Sequence, residues 1–166
     1  MILVAGGPCT PRCAGGGEIG ARWQTRQSGA VGRVVASRHI DGMAKTILVA
    51  DDSRMFRLLE QNVLHEHGYV LIHAEDGAQA VRMASVQVPD LVLLDVQMPV
   101  MDGNKALSIL KSSERTCHIP VVMLTAEAGP RDREVMTELG AHAVLSKPIS
   151  GEDLLEAVRD AIGDAS

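Results

Sequence analysis

Short apolar runs, each bounded by polar or turn residues, recur five times between residues 43 and 166. Runs of four to eight apolar residues with such boundaries predict β-strands that are buried in a sheet. The segments between them carry apolar residues at helical spacing instead. We therefore predict strands over residues 46–50, 69–73, 91–94, 119–124 and 143–146.

The helices between these strands are predicted from their boundary residues. Ser53 is placed to cap the first helix and Gly68 to end it, with Phe56, Leu59 and Val63 on one face. Polar residues that open the later helices follow the same logic, because their side chains satisfy free backbone N–H groups in the first turn. The second helix is predicted to open with a capping box over 76–79, and the third to start at Asp102, with Ala106, Leu107 and Leu110 buried. The fourth is predicted over about 130–139. Residues 150–153 open the last helix, whose apolar residues are Leu154, Leu155, Val158 and Ile162.

Strict alternation of strand and helix implies an α/β fold with a parallel sheet, right-handed crossovers and helices on both faces. Ligands of such folds bind beyond the carboxyl ends of the strands. In this chain, each of five polar residues follows directly on, or ends, a predicted strand: Asp51, Asp52, Asp95, Thr125 and Lys147. We expect them to converge on one edge of the sheet.

The chemistry of this set suits a divalent cation and a phosphoryl group. Neighbouring carboxylates repel one another, and Mg²⁺ is a hard cation that prefers oxygen ligands. A carboxylate can also act as a nucleophile and form an acyl phosphate, for which the single Asp95 is the best candidate. Lys147 offers a point charge and Thr125 a hydroxyl to the remaining phosphoryl oxygens. Pro148 restricts the backbone of Lys147 and can adopt the cis isomer.

Composition and charge narrow the classes of function. Residues 43–166 carry 11 basic and 19 acidic side chains, a net charge of −8. This acidic part argues against nucleic-acid binding. No apolar stretch approaches the roughly 18 residues of a membrane span, and the opening residues lack the basic flank of a signal peptide. We expect a cytoplasmic protein that binds neither nucleic acid nor membrane.

Residues 1–43 differ in composition, being rich in Gly, Arg, Ser and Pro. Such a segment buries too little apolar surface to offset the entropy of ordering. We predict a disordered extension over 1–43 and a folded domain over 44–166; alternatively, translation begins at Met43. Residues 15–20 match a dinucleotide-binding glycine pattern, but Pro8 and Pro11 precede them where a strand is needed.

Four motifs together resemble the receiver domain of two-component response regulators: Ala50-Asp51-Asp52-Ser53, residues 93–99 with Met101-Asp102-Gly103, Leu124-Thr125-Ala126, and Leu145-Ser146-Lys147-Pro148. The resemblance spans about residues 45–163. It implies a flavodoxin-like doubly wound sheet of five parallel strands in the order 2-1-3-4-5. It also implies a single-domain regulator of the chemotaxis or phosphorelay type.

By this resemblance, Asp95 accepts a phosphoryl group from a phosphohistidine of a sensor histidine kinase or phosphotransfer protein. Asp51, Asp52 and Asp95, with the carbonyl of Gln97, are expected to hold Mg²⁺. Thr125 is the expected switch hydroxyl and Lys147 the phosphate-pairing lysine. The protein is then not an enzyme with an external substrate, and catalyses only its own phosphorylation and dephosphorylation.

Output is expected through phosphorylation-dependent binding of a downstream protein at the face of helix 4, strand 5 and helix 5. Many receivers carry an aromatic residue where this chain has Val144. We therefore expect Thr125 to move while backbone and packing shifts change the output face, a hypothesis that fails if Thr125→Ala leaves partner binding fully phosphate-dependent. Gln97 and Glu127 are expected at the mouth of the site, where they set the acyl-phosphate lifetime.

An alternative is a haloacid-dehalogenase-like phosphatase that uses Asp95 as nucleophile. That class requires a second aspartate two residues later to act as an acid, and this chain has Gln97 at that position. It also uses a cap domain, for which the chain shows no segment.

Overall fold

The computed structural model describes residues 44–126 and 129–165. Five strands alternate with five helices in this part of the chain. The strands are β1 (Thr46–Ala50), β2 (Val70–Ala74), β3 (Leu91–Asp95), β4 (Val121–Thr125) and β5 (Ala143–Ser146). The helices are α1 (Arg54–Glu66), α2 (Gly77–Gln87), α3 (Gly103–Ser112), α4 (Pro130–Glu138) and α5 (Gly151–Ile162).

All neighbouring strands run parallel, and the sheet has the order β2-β1-β3-β4-β5. The predicted flavodoxin-like fold is thus confirmed. Because β3 lies at the centre and β1 and β4 flank it, the residues that end these three strands lie side by side at one edge.

Side chains that alternate along the strands pack into two apolar layers, one on each face of the sheet. On one face, residues such as Leu48, Val92 and Met123 pack with buried residues of α2 and α3. On the other face, Ile47 and Leu93 pack with residues of α1 and α5. The three inner strands are almost fully buried, whereas β5 is only partly buried because it lies at the edge. The expectation of a buried fifth strand is corrected to that extent.

Both ends of β2 and of β4 differ from the predicted ranges, and β3 is one residue longer than predicted, because it includes Asp95. β2 begins at Val70, because the N–H of Tyr69 donates to the carbonyl of Leu64 in α1 and that of Val70 donates to the carbonyl of Lys45. The hydroxyl of Tyr69 donates to the carbonyl of Gly163 at 2.9 Å. β4 begins at Val121 and not at Ile119, whose N–H is used in a turn to Thr116.

Helix starts are confirmed at the predicted residues, with two corrections in detail. Asp76 accepts the N–H of Gln79 at 2.7 Å, but the Gln79 side chain accepts the N–H of Glu75, so the reciprocal half of the capping box is wrong. Ser53 occupies the N-cap of α1, yet its side chain accepts no N–H from the described first turn. Its own N–H donates to Asp51 instead.

The remaining caps follow the sequence prediction. Asp102 accepts the N–H of Lys105, and Ser150 accepts that of Asp153. Gly68 follows α1 in the left-handed region, with φ +83°. Within residues 44–126 and 129–165, no helix is long and apolar enough to cross a membrane. Residues 1–43 and Glu127 lie outside the described residues.

Candidate functional site

Asp51 follows β1 directly and is fully buried. Its Oδ1 accepts the backbone N–H of Ser53 at 2.7 Å, and its own N–H donates to the carbonyl of Ala74 at 3.3 Å. These bonds fix the carboxylate at the start of α1 and leave Oδ2 directed towards the other strand ends.

Asp95 ends the central strand β3 and is 5% exposed. Its Oδ1 accepts the backbone N–H of Gln97 at 3.3 Å. The start of α3 packs tightly behind it, since a Cβ added to Gly103 would lie 2.2 Å from the Asp95 carbonyl oxygen. Glycine at 103 is therefore required for the β3–α3 loop to close against Asp95.

Lys147 joins these two carboxylates. Its Nζ donates to Asp51 Oδ2 at 2.7 Å and to Asp95 Oδ2 at 2.9 Å. The ammonium also lies 4.3 Å from the centre of the Phe56 ring, a cation–π distance. The Lys147-Pro148 peptide bond is cis. The lysine therefore bridges the ends of β1 and β3 from the loop that follows β5.

Thr125 ends β4, next to Asp95 on β3, and is 2% exposed. Its carbonyl accepts the backbone N–H of Lys147 at 2.7 Å, and it pairs in register with Ser146. The structure thus places Thr125 at the same sheet edge as Asp51, Asp95 and Lys147.

Asp52 completes an acidic cluster. One carboxylate oxygen from each of Asp51, Asp52 and Asp95 lies within 4.8 Å of the others, and only Asp52 is exposed. An all-oxygen set with one solvent-facing member fits a hard cation that keeps some of its waters. Gln97 is exposed, and its backbone N–H donates to Asp95 Oδ1 at 3.3 Å. Its carbonyl as a ligand stays a prediction.

The electrostatics of the site show opposing effects. Burial raises the pKa of Asp95 above its usual value, while the hydrogen bond and charge of Lys147 lower it and the charge of Asp51 raises it. Burial alone would lower the pKa of Lys147, but its hydrogen bonds to Asp51 and Asp95 raise the pKa above the usual value. Lys147 therefore remains a cation at neutral pH.

Sequence reasoning missed one residue, Glu60. It lies on α1 and is 4% exposed, and the charges of Asp51, Lys147 and Asp95 all act on it. Its spacing from Phe56 is one helical turn, so a polar residue on the core-facing stripe of α1 is the sequence signal that reveals it.

Comparison with known families agrees with this geometry. Residues 47–159 match the sequence model of the family described as the response regulator receiver domain. The polar-differentiation response regulator DivK of Brucella ovis is 33% identical over 123 residues, covering 74% of this chain and 100% of the relative. DivK of Brucella anthropi is 32% identical over 123 residues, with the same coverage.

Solved structures show the same fold. The chemotaxis response regulator CheY4 of Vibrio cholerae aligns with a TM-score of 0.67 and 31% identity, covering 72% of this chain and 98% of the other. The receiver domain of the sensor histidine kinase PA1611 from Pseudomonas aeruginosa aligns with a TM-score of 0.67 and 31% identity, covering 73% and 99%. That structure has a magnesium ion coordinated in its active-site cleft.

Proposed function

The chain belongs to the response regulator receiver family, and from this premise we propose that Asp95 accepts a phosphoryl group from a phosphohistidine of a sensor kinase or phosphotransfer protein. Receiver domains are signalling proteins that interact with such kinases or phosphotransfer partners. The observation that carries the proposal is the contact of one ammonium, Lys147, with both Asp51 and Asp95.

Asp95 has the properties that a phosphoacceptor needs. It is a carboxylate at the end of the central strand, held by one backbone N–H and one ammonium. A fixed carboxylate can attack phosphorus in line and form an acyl phosphate, while the phosphorus–nitrogen bond to the donor histidine breaks. The leaving imidazole takes the electron pair of that bond and a proton from solvent.

Charge on the transferred oxygens is then stabilised by residues already at the edge. Lys147 supplies a positive charge beside the Asp95 oxygen that it contacts, and Thr125 brings a hydroxyl from the neighbouring strand. Preorganised groups of this kind stabilise developing charge more than groups that must reorient.

Mg²⁺ is the cation that we propose for the acidic cluster, with Asp51, Asp52, Asp95 and the Gln97 carbonyl as ligands. When bound, it supplies positive charge to the transferred oxygens and offsets the repulsion among the carboxylates. The oxygen donor set and the exposed position of Asp52 support this assignment.

Glu127 and Gln97 remain the residues that we propose to control access of water to the acyl phosphate.

We propose the face formed by α4, β5 and α5 as the surface that binds a downstream protein. Arg133 of α4 supports this, because its guanidinium contacts both Val144 and Ser146 of β5 and so joins two elements of the face. Residues 44–166 are the proposed receiver unit.

The phosphatase alternative is not favoured, because the matched family is the receiver domain and Gln97 replaces the second aspartate that the alternative requires.

The test is intact mass after incubation with a small phosphodonor and Mg²⁺. We expect one phosphoryl adduct on the wild type and on the control Asp160→Asn, which alters an exposed aspartate of α5. Asp95→Asn should carry none. An adduct on Asp95→Asn, or none on a wild type that also fails with histidine phosphodonors, would refute the role of Asp95.

A further inference from the structure

Glu60 is a buried carboxyl group for which the described part of the chain provides no hydrogen-bond partner at either oxygen. It lies on α1 one turn after Phe56 and one turn before Leu64, which is fully buried. An unpartnered polar group in the interior is costly, and an apolar side chain would avoid that cost. The fold therefore accommodates a carboxyl group at a position suited to a hydrocarbon.

The charged groups that act on Glu60 all belong to the candidate site. They are Asp51 after β1, Asp95 at the end of β3 and Lys147 after β5. α5 packs against α1, but its charged residues are all exposed: Glu152, Asp153, Glu156, Arg159 and Asp160. Of the residues of β2, which also packs against α1, only His73 is titratable, and the charge that acts on it is that of Arg57.

This environment favours the neutral acid. Burial, together with the charges of Asp51 and Asp95 and against that of Lys147, raises the pKa of Glu60 to about 8. A carboxyl group with such a pKa holds a proton near neutral pH and responds to any change of charge nearby.

We propose that Glu60 is a positioning residue of the phosphorylation site: it releases a proton when a divalent cation joins Asp51, Asp52 and Asp95, and regains it when Asp95 carries a phosphoryl group. The geometry behind this is an unpartnered, buried carboxyl group one helical turn from the Phe56 ring on which Lys147 rests. The proposal has two halves. The cation half, proton release on cation binding, stands by itself, and the phosphoryl half, proton uptake on phosphorylation of Asp95, rests on the proposed function.

The coupling is electrostatic, through the charges that act on Glu60. Added positive charge at the cluster stabilises the Glu60 carboxylate, because a nearby cation favours the charged form of an acid. The negative charge of a phosphoryl group on Asp95 favours the neutral form of Glu60 in turn, while Lys147 keeps its contacts with Asp51 and Asp95. The proton is exchanged with bulk water in both steps, so charge is balanced.

Calorimetric titration of the full chain with Mg²⁺ tests the cation half. Two buffers of different ionisation enthalpy at each pH report the protons released per cation. Between about pH 6.5 and pH 9 we expect wild-type affinity to increase roughly three- to tenfold, the effect of a pKa change of about half to one unit. Glu60→Gln should show neither this increase nor the associated proton release. Glu66→Gln, which removes an exposed carboxylate from the same helix, should match the wild type.

Carboxyl carbon NMR provides a second readout that needs no bound metal. One glutamate carboxyl of the metal-free wild type should titrate near pH 8, move to lower pH with Mg²⁺, and be absent from Glu60→Gln. Should the amide variant fail to fold, Glu60→Met offers an apolar side chain of similar size for the same titrations.

The outcomes separate the two proposals. Equal pH dependence of Mg²⁺ affinity in wild type and Glu60→Gln, or no glutamate that titrates above its ordinary range, overturns the role of Glu60 even if Asp95 becomes phosphorylated. Proton release that depends on Glu60, in a protein that takes no phosphoryl group, supports its coupling to the cation cluster and refutes the proposed function. If phosphorylation occurs but leaves the Glu60 titration unmoved, the phosphoryl half of the inference is wrong.

Discussion

The guanidinium of Arg133 donates a hydrogen bond of 2.6 Å to the hydroxyl of Ser146, and so ties α4 to the residue that precedes Lys147. A second bond, of 3.2 Å, runs to the carbonyl of Val144. Ser146 also pairs in register with Thr125. Arg133 therefore links α4 to β5 at a level where many receivers have an aromatic side chain and this chain has valine.

We expect Arg133→Ala to loosen the end of β5. An exposed hydrogen bond contributes about 0.5–1.5 kcal/mol, so amide exchange at Lys147 should accelerate by roughly two- to tenfold. Hydrogen exchange followed by NMR measures this directly. Arg131→Ala removes the same charge from an exposed position on the same helix and should leave the Lys147 rate unchanged. Equal acceleration in both variants would show that charge, and not the contact with β5, is responsible.

Lys147→Met should suppress phosphorylation while preserving the fold. Loss of the ammonium removes the hydrogen bonds to Asp51 and Asp95 and leaves their repulsion uncompensated. Removing one preorganised charge of this kind costs about 10²-fold in rate. The measurement is the initial rate of adduct formation with a small phosphodonor at saturating Mg²⁺. Lys105→Met, at an exposed site on α3, should react like the wild type.

Wild-type stability should fall with rising pH because of Glu60. The pKa of Glu60 in the folded state, about 8, lies above the ordinary value of 4.5 for a glutamate. Between these values the folded state holds a proton that the unfolded state has lost, so the free energy of unfolding decreases as pH rises and levels off above the folded pKa. Glu60→Met should remove this contribution and be more stable at pH 8 than the wild type, by about 1–3 kcal/mol.

Denaturant titrations at a series of pH values between 5 and 9 measure this difference. Glu66→Met changes an exposed glutamate of the same helix and should preserve the wild-type slope. A Glu60→Met variant that is equally destabilised at every pH would contradict the assignment of a buried, neutral acid.

Gly103→Ala should both destabilise the domain and disturb Asp95. The added Cβ would meet the Asp95 carbonyl oxygen at 2.2 Å, so the backbone itself must shift. Overpacking of this kind costs about 1–3 kcal/mol, and the shift should weaken Mg²⁺ binding as well. Gly151→Ala is the matched control, because its Cβ would meet only the Val63 side chain at 3.2 Å. Unchanged Mg²⁺ affinity in Gly103→Ala would show that the backbone shift at residue 103 does not reach the carboxylate of Asp95.

Val100→Asn should stabilise the protein. Val100 has φ +66° and is 87% exposed, so it bears the strain of the left-handed region without burial in return. Asparagine tolerates this conformation better than a β-branched residue, and we expect a gain of about 0.5–1 kcal/mol in thermal or denaturant unfolding. The equivalent change at Val86, a 73% exposed residue of helix α2, should be neutral or slightly destabilising.

The alternation of elements and their boundaries could be predicted because they depend on local sequence. Capping by Asp102 and the end of α1 at Gly68 are set by residues within a turn of each other. The convergence of Asp51, Asp95 and Lys147 could also be predicted, since parallel strands bring their ends together whatever the side chains between them. β2 was predicted one residue too early because Tyr69 extends the apolar run, although its N–H donates to the carbonyl of Leu64 at the end of α1.

The features that sequence reasoning missed depend on packing between distant segments. Glu60 lies on α1 at a spacing typical of core residues, and only the assembled sheet brings it under the influence of Asp51, Asp95 and Lys147. The contact of Arg133 with Ser146 likewise depends on how α4 lies across β5. Helical spacing marks Glu60 as a polar residue on the core-facing side of α1, but it does not show which charged groups surround it. The Arg133 contact leaves no periodic signal, because it involves one side chain that reaches another element.

The side chain of Lys45, just before β1, donates to the carbonyl of Ile162 at the end of α5. The first and last elements of the described domain are thus fastened together at the end of the sheet opposite the acidic cluster. Fluorescent or affinity reporters attached at this end of the described domain can therefore be used without obstructing access to Asp95.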